Sequence, residues 1–177
     1  MALDIATEKG KVTRRLIEHY CRRTRGVGMI IVEHAYVSPE GKAHPKQLGI
    51  YDDQLIPGLS QLAKAIRQKG VPVGIQISHA GARAMHSPCA PSNIRSRYLK
   101  RYTRKNKDGY VICAKRIKED DIPRLISDFA RAAWRGKKAG FDFIEIHGAH
   151  GYLLNQFYSP LTNIRHDDYG GTLQRRL

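Results

Sequence analysis

The densest chemical signal in the chain is the run HGAHGY, which places His147, His150 and Tyr152 within six residues. Two imidazoles three residues apart and a phenol two further on, beginning where an apolar run ends, can converge on one small ligand. A neutral imidazole N–H can hydrogen-bond a carbonyl oxygen, and a phenol can donate a proton. The same side chains could instead cap a turn and satisfy buried backbone groups. A metal reading is also open, since His147 and His150 with His79 or Glu145 would supply ligands. Neither HExxH nor a compact ligand cluster accompanies them, and no metal is expected.

Such groups need a scaffold that gathers strand ends. One junction recurs three times: a polar helix end, one glycine, then an apolar β-rich run, in RGVGMIIVE, KGVPVGIQIS and AGFDFIEIH. Gly26, Gly70 and Gly140 stand where a helix C-terminus takes a left-handed residue. The preceding helices are predicted at about Val12 to Arg25, Asp53 to Lys69 and Asp120 to Lys138. In the last, Ile122, Leu125, Ile126, Phe129, Ala132 and Ala133 share one face, and Pro123 fits the first turn.

Strands that are apolar at nearly every position and joined by helices belong to a parallel sheet covered by helices. In a (β/α)₈ barrel, functional side chains emerge just after the strands. Here the three runs end in Glu33 and His34, in Gln76 and His79, and in Glu145, His147 and His150. A doubly wound nucleotide-binding sheet would carry a glycine-rich fingerprint between strand and helix, and neither GxGxxG nor the P-loop pattern is present. The expected class is therefore α/β, a partial (β/α)₈ TIM barrel. A full barrel takes about 250 residues and eight strands, whereas three strands are legible in these 177 residues. The last residues, YGGTLQRRL, have the pattern of another helix beginning.

Composition narrows the setting. The chain is long enough to bury roughly 70% of its unfolded surface in one domain. It has no run of about 18 apolar residues and no signal-peptide pattern at its start, so a cytoplasmic protein with no membrane contact is expected. Cys21, Cys89 and Cys113 are an odd count at wide spacing and are expected to be reduced thiols. The net charge is +15, and the segment 94–118, with ten basic residues against Asp108, supplies +9 of it. Tyr98, Tyr102 and Tyr110 lie among those cations, a combination that suits base stacking with phosphate neutralisation. A solvated charged loop is preferred over a nucleic-acid-binding module, and contact with a phosphate-rich ligand is a third reading.

Several blocks resemble the old yellow enzyme (NADH:flavin oxidoreductase) family in order and spacing. They are MALDIATEKGKVT, GMIIVEHAYVSPEGKAHPKQLGIYDD, GIQISHAGARA, the APS at Ala90 to Ser92, and AGFDFIEIHGAHGYLLNQFYSPLTNIRHDDYGG. The resemblance implies an FMN-containing barrel that passes hydride from NADH or NADPH through flavin to an activated alkene such as an enone or enoate. It implies that Gln76 hydrogen-bonds the flavin pyrimidine ring and that Met1, Ala2 and His34 line the flavin through backbone contacts. His147 and His150 would hold the substrate carbonyl oxygen, and Tyr152 would protonate the α-carbon. Asn163, Arg165, Asp168, Tyr169, Gly170 and Gly171 match the downstream block and are expected to be loop architecture.

The chain also departs from the family pattern. Met1 aligns inside the stretch that ends the first barrel strand, and nothing after the fourth is present. The expectation is therefore about strands 2 to 4 with their helices, truncated at both ends, with 94–118 as a basic insertion-like loop. Ala2 stands where many members have cysteine or threonine, Asp4 replaces an aromatic often found lining the substrate pocket, and Arg175 stands where asparagine is usual. Three parallel strands cannot close a barrel. Tight FMN binding and activity are thus expected to need a complementing chain or a homo-oligomer.

Overall fold

A computed structural model of the chain describes residues 2–93 and 114–177. Met1 and residues 94–113 of the basic segment lie outside the described residues. Helix α1 (Arg14–Cys21) begins at Thr13, whose hydroxyl accepts a hydrogen bond from the Leu16 N–H. It ends at Arg22, short of the Val12 to Arg25 expected, because the chain leaves the helix in turns before it reaches Gly26. Strand β1 (Ile30–Tyr36) follows, then α2 (Ile56–Arg67) and β2 (Val73–Ser78). A two-residue pair, β3 (Cys89–Ala90) with β4 (Lys115–Arg116), closes the base of the long excursion and has no local signature. Helix α3 (Ile122–Ala139), β5 (Phe143–Ile146), α4 (Leu153–Tyr158) and α5 (Leu173–Arg176) complete the order. The starts predicted at Asp53 and Asp120 instead fall in 3₁₀ turns, Asp53–Leu55 and Glu119–Asp121. Each α-helix then opens with a proline in its first turn, where no N–H is needed.

Strands β1, β2 and β5 form one parallel sheet in the order β1-β2-β5, with Ile31 opposite Gly74, Gly74 opposite Phe143 and Gln76 opposite Glu145. The main core takes in Val32, Val73 and Ile75 with Leu59, Leu62 and Ile66 of α2 and Ala132 of α3. Each buried Leu or Ile contributes about 1.5–3 kcal/mol. Gly136 lets α3 approach the sheet closely, for a Cβ there would lie 2.4 Å from the Ile144 side chain. Alternate residues, among them Ile31, Gln76 and Glu145, point to the opposite face, which a closed barrel would enclose.

Gly26, Gly70 and Gly140 all have left-handed backbones, at φ of 72°, 78° and 90°. The repeated helix-glycine-strand junction is therefore a structural unit, and the described residues hold a three-stranded parallel sheet with its helices, arranged as in part of a (β/α)₈ barrel. Among the described residues no helix is long and apolar enough to cross a membrane.

Candidate functional site

The C-terminal ends of the three long strands open into one cavity of about 1010 Å³. His34 comes from β1, Gln76 from β2 and Glu145 from β5; His147, His150 and Tyr152 come from the loop that follows β5. Ala2 also borders the space. Gln76 donates its side-chain N–H to the Glu145 carboxylate, its register partner on the neighbouring strand.

The loop from His147 to Tyr152 is shaped by contacts with the second βα loop. The His147 N–H donates to the Ile77 carbonyl at 3.0 Å and the Leu153 N–H to the His79 carbonyl at 2.9 Å, so both ends of the loop are tied to β2 and its sequel. Between them, His150 and Gly151 are both left-handed, at φ of 57° and 68°. That conformation costs nothing for glycine and about 1–2 kcal/mol for histidine. Three side chains hold it. Arg83 Nη1 donates to the His150 carbonyl at 2.8 Å, Gln156 Nε2 donates to the Gly151 carbonyl at 2.7 Å, and Asn155 Oδ1 accepts from the Gly151 N–H at 2.9 Å.

The result is a nest of rings. His147 lies 4.9 Å from Tyr152, nearly perpendicular to it, and 5.1 Å from His150, centroid to centroid. His34 stacks on His147 at 5.6 Å, with 24° between the planes, and meets Tyr152 edge-on at 5.4 Å. Burial, then the neighbouring His150, holds His147 below the usual histidine range. Burial, then His147, pushes His34 down to about 3. Both rings are therefore neutral at physiological pH and present N–H donors without a net charge. Such a set can grip and polarise a carbonyl oxygen, with a phenol beside it.

Not every strand-end residue joins this group. His79 is buried away from the cavity: its Nδ1 accepts from the Gly81 N–H at 3.0 Å, its ring packs over Gly41, and its Nε2 faces Glu40 at 3.9 Å. Glu33 is also buried, accepting the Leu3 N–H at 3.0 Å, and burial raises its carboxyl to about 7. Among the described residues no group of three His, Cys, Asp or Glu is arranged to hold a metal ion. Conversely, His44 and Arg83 border the cavity, and Gln156 braces its loop, without having been singled out. The position of Gln156, four residues after Tyr152 on α4, is the one local hint of its role. Arg165 is loop architecture, buried and bonded to Asp167 and to the carbonyls of Pro91 and Ile117.

Comparison with known proteins gives a consistent result. Residues 1–177 match the NADH:flavin oxidoreductase / NADH oxidase family. An NADPH dehydrogenase of Halalkalibacterium halodurans is 44% identical over 170 residues, 94% of this chain and 47% of that protein. An NADH oxidase of Thermoanaerobacter brockii is 40% identical over 185 residues, 100% of this chain and 27% of that protein. Among solved structures, the old yellow enzyme homologue from Zymomonas mobilis superposes with a TM-score of 0.86 at 32% identity, over 99% of this chain and 50% of its own. Morphinone reductase in complex with tetrahydroNAD superposes at 0.84 with 28% identity, over 96% of this chain and 50% of its own. This chain spans about half the length, or less, of the relatives it matches. It belongs to the NADH:flavin oxidoreductase / NADH oxidase family.

Proposed function

We propose that the chain supplies the substrate-binding part of an FMN-dependent oxidoreductase of the ene-reductase type, reducing an activated alkene such as an enone or enoate at the expense of NADH or NADPH. The observation that carries this reading is the convergence of two imidazoles and a phenol, His147, His150 and Tyr152, on one wall of a cavity of about 1010 Å³. A ligand site of this kind ordinarily takes about 300–1,000 Å³. The space thus suits a flat cofactor ring with a small substrate beside it.

The residues present fit the ring end of FMN. Gln76 is half-buried at a strand end on the enclosed face, where its carboxamide offers both a donor and an acceptor to a pyrimidine edge. Ala2 and His34 border the same space. FMN, when bound, supplies the hydride chemistry. The chain's own residues act on the alkene: the N–H groups of His147 and His150 hold the carbonyl oxygen and draw electron density from the conjugated bond, so that the β-carbon accepts hydride. Tyr152 then gives its phenolic proton to the α-carbon, which completes a two-electron reduction matched by oxidation of one NAD(P)H.

Among the described residues the three-stranded parallel sheet has two open edges, so the working unit includes further strands, from a longer chain or from a complementing partner. Mixing the chain with FMN and following the flavin absorption band through gel filtration tests this. The expected result is weak, sub-stoichiometric retention and no alkene-dependent NADPH oxidation until the missing strands are supplied. A stoichiometric flavin complex of the lone chain would refute the requirement. In the completed unit, Tyr152→Phe should lower alkene reduction by about 10²–10⁴; unchanged turnover would remove Tyr152 from its role.

A further inference from the structure

The family resemblance gives His34 backbone contacts; its ring in addition meets His44, His147 and Tyr152. It lies within β1 and is 4% exposed, and its Nδ1 sits 2.9 Å from Gln47 Nε2 and 3.0 Å from Ser78 Oγ. The orientation of the Gln47 amide is fixed independently. Gln47 Oε1 accepts the Ala43 N–H at 2.7 Å, and Nε2 also donates to the His34 carbonyl at 3.1 Å. A flipped amide would set donor against donor at Ala43 and acceptor against acceptor at His34. Gln47 Nε2 is therefore a donor, His34 Nδ1 is an acceptor, and the ring proton is on Nε2. Gln47 and Ser78 are both 0% exposed, so water does not compete for these bonds.

The far side of this locked ring supports the proposed chemistry. His34 stacks on His147 and meets Tyr152 edge-on, while His44 approaches it at 6.1 Å. A ring free to switch tautomer would present alternately a donor and an acceptor at its cavity edge. A protonated ring would set a cation against the imidazoles of His44, His147 and His150.

We infer that His34 is a positioning residue: its neutral, Nε2-protonated imidazole, locked from behind by Gln47 and Ser78, braces the planes of His147 and Tyr152. Its importance for catalysis rests on the function proposed above, but the lock itself does not. The device is long-range, running from the loop at Ala43–Gln47 through β1 to the loop after β5.

The test is nitrogen-detected NMR of the full chain carrying ¹⁵N-histidine, with no flavin or alkene added. His34 is expected as the Nε2–H tautomer, with signals constant from about pH 8 to about pH 5, a range that spans an ordinary histidine titration. A titrating His34, or one protonated on Nδ1, overturns the lock. Gln47→Glu keeps the acceptor for Ala43 but removes the donor, so His34 should switch to Nδ1–H or become a cation, and the His147 signals should move with it. Switching at His34 with unmoved His147 signals overturns the bracing. If that variant does not fold, Gln47→Met removes the donor with an apolar side chain of similar length, and unmoved His34 and His147 signals would again refute the inference. A locked His34 in a chain that never reduces alkenes counts against the proposed function alone.

Discussion

Replacing Arg165 with leucine should destabilise the chain more than any single change at the candidate site. The Arg165 side chain is 0% exposed, and all three of its guanidinium nitrogens donate. Nε and Nη2 grip Asp167 at 2.8 and 2.6 Å, and Nη1 donates to the carbonyls of Pro91 and Ile117, both at 2.7 Å. Those two carbonyls flank the β3–β4 pair, so one side chain staples both ends of the excursion through 94–113 to the loop after α4. Leucine would strand two backbone acceptors and take from Asp167 its main partner, leaving the carboxylate to Arg116 at 3.7 Å and the Tyr169 N–H at 3.2 Å. Leaving a buried acceptor without its donor costs about 1–3 kcal/mol, and with the two carbonyls and the Asp167 bond lost as one network the change should cost about 3–5 kcal/mol. For a domain of this size a loss of that order lowers Tm by roughly 6–20 °C. Urea unfolding followed by circular dichroism measures it. Arg165→Lys should recover little, because an ammonium cannot reproduce the fork that meets three acceptors at once. The bond from Arg165 holds the Asp167 carboxyl below its usual range. Asp167 therefore contributes stability above its unfolded pKa that is lost as pH falls through the folded one, and the gap between wild type and variant should narrow in acid. A loss below about 1 kcal/mol at neutral pH, with an unchanged denaturant slope, would refute the staple.

Three further changes test other parts of the argument. At Gly74 a Cβ would lie 2.2 Å from the Phe143 ring, so Gly74→Ala should cost about 1–3 kcal/mol in urea unfolding, and Phe143→Leu in the same chain should recover part of it; strictly additive losses would show that the two sites do not meet. Glu33 has its carboxyl raised to about 7 by burial, so its protonated form favours the folded state. Stability should fall as pH rises from about 4.5 to about 7, and Glu33→Gln should flatten that part of the pH–stability curve; an unchanged slope counts against burial as the cause. His150 holds a left-handed backbone at φ of 57°. His150→Gly should raise Tm, by up to about 1 kcal/mol in stability, while removing a proposed carbonyl donor, and a lower Tm would refute strain at that residue.

The scaffold was legible in the sequence because its signals are local. A glycine that must turn left-handed after a helix announces itself at Gly26, Gly70 and Gly140, and an apolar run needs no partner to be recognised. The helix starts were misplaced by two or three residues where 3₁₀ turns absorb the acidic positions before Pro57 and Pro123. His147, His150 and Tyr152 stood out for the same reason, being adjacent in the chain. The residues that hold them did not. Arg83 supports the His150 carbonyl from 67 positions away, and Gln47 fixes the His34 ring from 13. A glutamine or arginine carries no mark of its partner until packing removes water and makes each remaining donor specific. His79 shows the converse error: a strand-end histidine looks like a ligand by position, but the close approach of Gly41 and the Gly81 N–H turn its ring towards Glu40 and away from the cavity. Position along a strand thus nominates a residue for the site, while the second hydrogen bond of its ring decides whether it belongs there. That is why the bond between Gln47 and His34, rather than the presence of His34, is the feature to perturb.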